Sequence, residues 1–444
     1  MNDYVLQEEG MKTAIIAIIF FAIFSAGSSE AEDVIKEGDL LGLERCIEIA
    51  LMKHPNILAA TYTVSVNQSR VGQANADYYP QIDLNAGYSK TSPVTGGSSD
   101  SSRVSSGSGN SFDQYTSRVS LRQNIYDFGK TSSQVSIQRL NLGSARSDLE
   151  NVKEQTVLNV RQAYYAVLKA KKDRVVAEET VKQFEMHLEQ ARGFYEVGAR
   201  PKFDVTKAEV DLSNARLNLI QTVNSLRVSF ATLNNSIGLP EAPEYDIVDN
   251  LAFQQYEITI DEALRRAYMN RPDLASLALR RQASEKSIEL AKTGYYPALT
   301  GNASYNWAAE KFPLDEGWDA GVELSFPLFS GFLTTHQVAE AKASLNAVAA
   351  NEEFLRQNIS LEVRQAYLNL KNAEERIPAA ELTVRQAEEN LELANGRYSA
   401  GVGNPIEVTD AQVGLTSAKT AYIQALYDYK ISLASLEKAM GETR

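Results

Sequence analysis

Residue types that could bind a metal or attack a substrate are few and widely spaced in this sequence. Its 444 residues include one cysteine, Cys46, and three histidines, His54, His187 and His336. None of these residues has the short spacing of a zinc site, and a single thiol cannot form an intramolecular disulfide. The sequence also lacks a GxxxxGK phosphate-binding loop and a GxSxG nucleophile elbow. We therefore expect no metal site, no cofactor and no enzymatic activity.

Two carboxylates lie one helical turn apart near the end of the chain. Glu407 and Asp410 occupy positions i and i+3, so they share one face of a predicted helix. Two interpretations of this pair stay open. Acids in the first turn of any helix oppose its dipole favourably, and Asn404 followed by Pro405 is typical of a helix start. Alternatively, carboxylates gathered around a pore would attract cations and raise one another's affinity for protons.

The net charge and the N-terminal sequence indicate which partners and which cellular location to expect. The net charge of -13 argues against a nucleic-acid partner. We interpret residues 1–31 as an N-terminal extension and signal peptide, because a short apolar run from Ala14 to Phe24 is followed by small residues. A single membrane anchor is the alternative interpretation of this run. Translation could start at Met1 or at Met11.

The chain consists of two copies of one unit. Residues 55–80 and 272–297 align without a gap at an offset of 217. The sequence VRQAY then occurs at 160–164 and again at 363–367, at an offset of 203. The offset shrinks because a Ser/Gly-rich segment, residues 89–114, is longer in the first copy and is predicted to be an exposed loop. We predict a first repeat at 32–238, a linker at 239–257 and a second repeat at 258–444.

Apolar and polar residues alternate with period two on both sides of that loop and at the matching place in the second copy. This alternation predicts strand hairpins at 81–125 and 298–328. Each strand is close to the ten residues that a tilted membrane strand needs. A soluble sheet with one wet face would alternate in the same way, so the pattern alone leaves both possibilities open.

A long helix is predicted after each hairpin. No residue breaks the helical pattern from Gly129 to about Tyr195, and only Pro378 interrupts it from Gly331 to about Tyr398. About 65 residues at ~1.5 Å each make a rod of roughly 100 Å, which must bury its apolar stripe against other helices. A glycine-containing turn and a shorter return helix follow each rod. We expect Pro378 to kink the second rod.

Four strands cannot close a barrel, and lipid does not tolerate an open sheet edge, so membrane strands would have to be shared among copies of the chain. On these features the sequence resembles the TolC-type outer-membrane efflux proteins. The resemblance rests on the duplication, two Tyr-Tyr-Pro steps, the strand exits NIYDFGK and PLFSGF, and two YxxGxxxxxD/E turns, and it covers about residues 40–441. It implies a mostly α fold with a small β part. Periplasmic helical hairpins would form an α-barrel, and three chains would share one transmembrane β-barrel, four strands each.

The resemblance also implies a location and partners. The protein would be a homotrimer in the bacterial outer membrane, in contact with its lipid, with the helices in the periplasm. It would be a passive exit duct for a tripartite efflux or type I secretion system, coupled to a periplasmic membrane-fusion (adaptor) protein and an inner-membrane pump of RND, ABC or MFS type. The alternatives are a periplasmic adaptor or coiled-coil scaffold without a pore, which the tandem duplication argues against, and a secreted enzyme with a helical stalk.

The resemblance assigns three groups of site residues. The periplasmic entrance constriction would consist of Glu407, Asp410, Asp204 and Tyr398. The adaptor-docking hairpin tips would consist of Gly198, Ala199, Arg200, Pro201, Gly401, Val402, Gly403 and Asn404. The helix-to-strand junctions would be Tyr78, Tyr79 and Pro80 in the first copy and Tyr295, Tyr296 and Pro297 in the second.

The sequence departs from the family pattern at one of these positions. Gly403 stands where the family can place an arginine that locks the entrance, and Arg200 in the other tip is a candidate substitute. The Tyr-Tyr-Pro steps have a physical reading of their own. Proline ends a helix and favours an extended predecessor, and tyrosines suit a membrane-water border.

Overall fold

The computed structural model describes residues 35–91 and 111–443. The predicted signal peptide lies outside the described residues, as does the middle of the Ser/Gly-rich loop, whose two ends are strand. In chain order the elements are β1 (Leu40–Leu41), α1 (Leu43–Lys53), α2 (Pro55–Asn75), β2 (Gln81–Thr91), β3 (Phe112–Tyr126), α3 (Lys130–Glu196), α4 (Lys202–Ser236), β4 (Asp246–Ile247), α5 (Ile260–Asn270), α6 (Pro272–Lys292), β5 (Ala298–Ala309), β6 (Asp315–Ser325), α7 (Leu333–Ser399) and α8 (Pro405–Ala439).

The two halves have the same order of elements. Helices α3 and α7 both contain 67 residues, and the return helices α4 and α8 both contain 35. The long helices are therefore about 100 Å long, as the sequence predicted. Helix α7 continues through Pro378, so this proline does not end the helix. Its neighbour Ile377 is buried in the core, and this packing holds the helix on both sides of the missing hydrogen bond.

Each long helix packs against its return helix as an antiparallel hairpin, and α3 also packs against α8. The largest apolar core lies near the middle of the rods, where the segment between the halves crosses them. The buried Tyr164 hydroxyl donates to the carbonyl of Val248 (2.6 Å), and the Tyr429 hydroxyl donates to that of Gln254 (2.5 Å). Both tyrosines thus fix the connecting segment to the hairpins.

A cluster of ion pairs around one buried arginine also lies near the middle of the rods. Arg271, only 6% exposed, donates to Glu362 and to Asp273, each at 2.7 Å, and Lys438 donates to Glu362 at 2.9 Å. These residues lie on α6, α7 and α8 or beside them. Charged hydrogen bonds in a buried site are costly to break, because the remaining partner keeps an uncompensated charge. The middle of the rods is therefore held by these ion pairs as well as by apolar packing.

The sheet is antiparallel and has the order β2-β3-β5-β6, so β2 and β6 are its edges. An apolar row crosses all four strands on one face, with Leu84 opposite Val119, Val119 opposite Tyr305, and Tyr305 opposite Trp318. The other face is polar and includes the pairing of Arg118 with Asn306. Strand β6 ends at Ser325, before the predicted end at 328, because Pro327 has no N–H to donate.

Each Tyr-Tyr-Pro step lies between a helix and a strand. A single 3-10 turn follows α2 and α6, and then Tyr79 and Tyr296 adopt the same extended conformation, with φ -104° and ψ 154°. Strands begin at Gln81 and Ala298, so the predicted change from helix to strand is confirmed. No helix among residues 35–91 and 111–443 is both long and apolar enough to cross a bilayer.

A glycine follows each return helix and packs against the bend between two shorter helices. These are α1 and α2 in the first copy and α5 and α6 in the second. Gly238 (φ 80°) and Gly441 (φ 70°) occupy equivalent positions. A Cβ on Gly238 would lie 2.9 Å from the Cα of His54, and one on Gly441 would lie 2.9 Å from the backbone nitrogen of Arg271. The close approach of two backbones therefore requires glycine at both places.

We predict that Gly238→Ala lowers the thermal midpoint of unfolding, because the added methyl group meets rigid backbone as well as adopting an unfavourable φ. Gly38→Ala is the matched control, since Gly38 has φ 81° but no atom within 4 Å of the position of a Cβ. The control suffers only the conformational cost, about 1–2 kcal/mol. Differential scanning calorimetry measures both midpoints. Equal shifts for the two variants would contradict the role of the contact with His54.

Candidate functional site: the tips of the helical hairpins

A five-residue turn joins α3 to α4, and another joins α7 to α8. Gly198 (φ 73°) and Gly401 (φ 78°) occupy equivalent positions in these turns, in the left-handed region that favours glycine. The helix start that the sequence predicted is confirmed at α8. The Asn404 side chain accepts a hydrogen bond from the Ile406 N–H (3.0 Å), and Pro405 is the first helical residue.

Gly403 is buried against the end of α7. Its N–H donates to the carbonyl of Arg397 at 2.9 Å. A Cβ at this position would lie 2.8 Å from the nitrogen of Tyr398 and 2.9 Å from the carbonyl carbon of Arg397. A side chain at 403 therefore requires a movement of the backbone. The backbone of this turn thus packs against the end of α7 at a distance that suits glycine.

Arg200 holds the equivalent position in the first tip and reaches across to the second. Its Nη2 donates to the carbonyl of Gly403 (2.7 Å), and a longer contact of 3.3 Å joins it to the carbonyl of Gly401. The guanidinium carbon also lies 5.5 Å from the centre of the Tyr398 ring. Arg200 thus joins the two tips of one chain. It is bonded to the backbone of the second turn, in which Gly403 stands in place of an arginine.

Behind Arg200, three buried polar side chains meet between the hairpins. Tyr398 is fully buried, Asp204 is 4% exposed and His187 is 7% exposed. The His187 and Tyr398 rings are 5.1 Å apart. Within 35–91 and 111–443, no hydrogen-bond partner is present for Tyr398 Oη, Asp204 Oδ2 or His187 Nδ1. The structure brings together Asp204 and Tyr398, which the sequence had singled out, and adds His187.

Burial shifts the pKa values of Tyr398 and His187 in opposite directions, and nearby charges add to or oppose each shift. Burial raises the pKa of Tyr398, the Asp204 charge raises it further, and Arg200 opposes both. Burial is also the largest effect on His187, and it lowers the pKa of the imidazole. Lys207 lowers that pKa further, whereas Asp211 and Asp204 oppose the change. Both rings are therefore held in their neutral forms.

The predicted acid pair has a different environment. Glu407 is the repeat equivalent of Asp204, but its side chain is 46% exposed, and Asp410 is also exposed. Arg397 Nε donates to Glu407 Oε2 at 3.2 Å across the turn. Such an exposed pair contributes about 0–1 kcal/mol. Sequence reasoning missed Arg397, because only the closed turn brings it to the acid ten positions later.

The contact between the two hairpins near their tips combines polar bonds with an aromatic contact. Each hairpin has its own apolar cluster here, one around Leu188 and Leu212 and the other around Leu391 and Leu415. Between them the Thr409 hydroxyl donates to Asp211 Oδ2 at 2.9 Å in a buried position. The hydroxyls of Thr180 and Thr416 are also 2.9 Å apart. The Phe194 ring of the first hairpin also packs against Tyr398 of the second, with ring centres 5.6 Å apart, so the hairpins share these polar bonds and this aromatic contact.

The ends of the tips expose four apolar side chains, of which the sequence analysis had singled out only Val402. Their exposed fractions range from 42% to 77%, and they are Val197, Phe203, Val402 and Ile406. Among the predicted docking residues, Arg200 is half-buried and Gly403 is buried, while the exposed ones are Gly198, Ala199, Pro201, Gly401, Val402 and Asn404. Exposed apolar residues at the end of a rod mark a surface suited to a protein partner. Among the described residues, no three His, Cys, Asp or Glu side chains are grouped so as to hold a metal ion.

Comparisons with known proteins agree with this architecture. A family model described as "Outer membrane efflux protein" matches residues 46–239 and 263–442. "Outer membrane protein TolC" of Vibrio cholerae is 25% identical over 399 residues, which are 87% of each chain. "Protein CyaE" of Bordetella pertussis is 25% identical over 411 residues, covering 91% of this chain and 85% of that one.

Solved structures have the same fold. The crystal structure of CusC superposes with a TM-score of 0.79 at 17% identity and covers 94% of this chain and 99% of that one. The Campylobacter jejuni CmeC outer membrane channel superposes with a TM-score of 0.79 at 16% identity, covering 90% and 86% of the two chains. The predicted fold class, long helical hairpins with a small sheet, is confirmed.

We predict that the tips loosen as the pH falls below about 6.5, the ordinary pKa of histidine. Because the pKa of His187 is lowered in the packed tip, the loosened tip binds a proton more readily. The stabilisation is therefore present above that pH and lost below it, by at most a factor of ten per pH unit for one proton. Hydrogen exchange of the turn peptides between pH 7 and 5 measures the effect. His187→Gln should reduce the pH dependence, and His336→Gln, at an exposed position, is the control. An unchanged pH dependence in His187→Gln would refute the assignment.

Proposed function

Because the chain belongs to the outer membrane efflux protein family, we propose that it is the passive exit duct of a tripartite efflux or type I secretion system. The family is one of transport proteins of the outer membrane. The duct itself would carry out no catalytic step and need no cofactor. Substrates would be delivered by an inner-membrane pump of RND, ABC or MFS type.

The joining of one small sheet to two long rods is the observation that carries this proposal. The sheet has an apolar face, a polar face and two unpaired edges. In lipid both edges must be paired, so several chains have to contribute to one closed barrel with its polar face inward. Three chains would give twelve strands. Rods of about 100 Å would then carry the same duct through the periplasm.

The tips are the proposed docking place for the periplasmic adaptor. They lie at the far end of the rods from the sheet, and their exposed surface combines glycine turns with Val197, Phe203, Val402 and Ile406. Apolar side chains around flexible turns suit a partner that packs against several equivalent tips. The polar bonds between the hairpins would let that partner spread them.

The proposed gate consists of two layers, formed by the two tips of each chain together. Glu407 and Asp410 share an exposed helix face, and three chains would bring six such carboxylates to the entrance. Behind them, Arg200 would hold the tips together over the buried Tyr398 and Asp204. Each buried polar atom without a partner costs about 1–3 kcal/mol, so the closed arrangement would be held only weakly.

We predict that the purified protein forms trimers and gives discrete, cation-selective currents in planar bilayers. Combining Glu407→Gln with Asp410→Asn should lower the cation preference several-fold, because the charges at the entrance are removed. Glu48→Gln is the control, since Glu48 is an exposed acid on the short helix α1, away from the tips. Protein that gives neither trimers nor single-channel currents would refute the proposed function. An unchanged selectivity would refute only the role of the acid pair.

We also predict that Arg200→Ala raises single-channel conductance several-fold, because the bonds to Gly403 and Gly401 are lost. Arg200→Lys should give an intermediate value, since lysine keeps the charge but cannot match the planar guanidinium. Arg397→Ala should have a smaller effect, because the ion pair with Glu407 is exposed. Wild-type conductance in Arg200→Ala would show that this arginine does not hold the entrance closed.

A further inference from the structure

Strands β3 and β5 form the junction between the two repeats within one sheet. Arg122 lies opposite Asn302, and Val119 lies opposite Tyr305. On the other side of the sheet the junction is absent, because β6 of the second repeat and β2 of the first are its free edges. If the repeats are equivalent, the pairing of β3 with β5 predicts how β6 would pair with β2 of another copy.

The structure fixes which residues of the strands are equivalent. Strand β2 corresponds to β5 at an offset of 217, since Gln81 and Ala298 both follow the same Tyr-Tyr-Pro step. Their partners in the hairpins are Arg122 and Ser325, so β3 corresponds to β6 at an offset of 203. Helices α3 and α7 begin at the same offset of 203. The register inside the sheet and the repeat in the sequence therefore agree.

We propose that β6 of one copy pairs with β2 of the next copy in the register that β3 has with β5. This inference rests on the proposed function, in which copies share one barrel. Transferring the pair Arg122 and Asn302 by the two offsets places Ser325 opposite Asn85. Transferring the pair Val119 and Tyr305 places Val322 opposite Tyr88.

Side-chain chemistry across this seam is consistent with the register. The apolar row continues, with Leu324 beside Ala86 and Val322 beside Tyr88. On the polar face, Glu323 lies beside Gly87, which has no side chain to obstruct the carboxylate. A slip by one residue would turn every side chain to the wrong face. Slips by two residues keep the faces but abandon the equivalence of the two junctions.

The end of β6 agrees with the same register. The β3–β5 ladder is irregular between Asn124 and Tyr126. At the offset of 203, Asn124 corresponds to Pro327. Proline cannot donate to a ladder and is tolerated in sheets at edges and bulges. The seam would therefore be interrupted where the junction inside the chain is already irregular.

Disulfide trapping in the full-length protein, in a Cys46→Ala background, tests the register. Val322→Cys with Tyr88→Cys tests an outward pair, and Gly321→Cys with Ser89→Cys tests an inward one. Opposite Cα atoms in a sheet are about 4.5–5.5 Å apart, within the range for a disulfide. Within one chain β2 and β6 are three strand spacings apart, about 14 Å, so any bond must join two copies. Val322→Cys with Ala86→Cys is the control, shifted by two residues.

Non-reducing gels of membranes after mild oxidation provide the readout. Covalent oligomers in both proposed pairs, and several-fold fewer in the control, support the register. Efficient cross-linking of the control alone would overturn the register but leave the shared barrel in place. If no pair cross-links and the purified protein is monomeric, both the register and the proposed function fail. If no pair cross-links in a protein that is trimeric and conducting, only the register fails.

Discussion

The two unpaired strand edges are the constraint on which the rest of the structure depends. A backbone N–H or C=O without a partner in lipid costs several kcal/mol, and β2 and β6 each present a row of them. One chain cannot remove this cost, because its four strands do not close. Assembly is therefore a condition for insertion. The arrangement of the rods follows from this assembly. Each copy contributes two hairpins to a ring, and the size of the barrel determines the size of that ring.

The duplication builds the scaffold symmetrically but leaves the tips unequal. Gly238 and Gly441 make the same close backbone contact, and Tyr79 and Tyr296 share one conformation. At the tips, by contrast, Tyr398 is fully buried while its equivalent Tyr195 is 46% exposed. A rod needs the same packing in both copies. In the proposed entrance one hairpin would present groups that the other covers, so equivalent positions would have different roles.

Sequence patterns predicted the helices and strands to within a few residues, because periodicity and glycine or proline signals are local. Residues 81–91 form a strand and 130–196 form a helix largely as the alternation and the absence of breakers indicated. The arrangement of the tip could not be predicted in this way. His187 and Arg397 acquire their importance only through contacts with residues that the fold brings to them. The bonds from Arg200 to the carbonyls of Gly403 and Gly401 also depend on contacts between the two turns, which the sequence does not show.

The distribution of interactions along the rods determines where they can move. At the middle, Arg271 is buried among charged partners, and the large apolar core spans both hairpins. Toward the tips each hairpin has its own buried apolar cluster, and the contacts between the hairpins include hydroxyl bonds, Arg200 and the packing of Phe194 against Tyr398. Each neutral hydrogen bond contributes about 1 kcal/mol, while the unpartnered Tyr398 and Asp204 atoms oppose the packed arrangement by similar amounts. Opening of the proposed entrance would therefore cost least at the tips, and the middle of the rods would be the fixed end about which the hairpins turn.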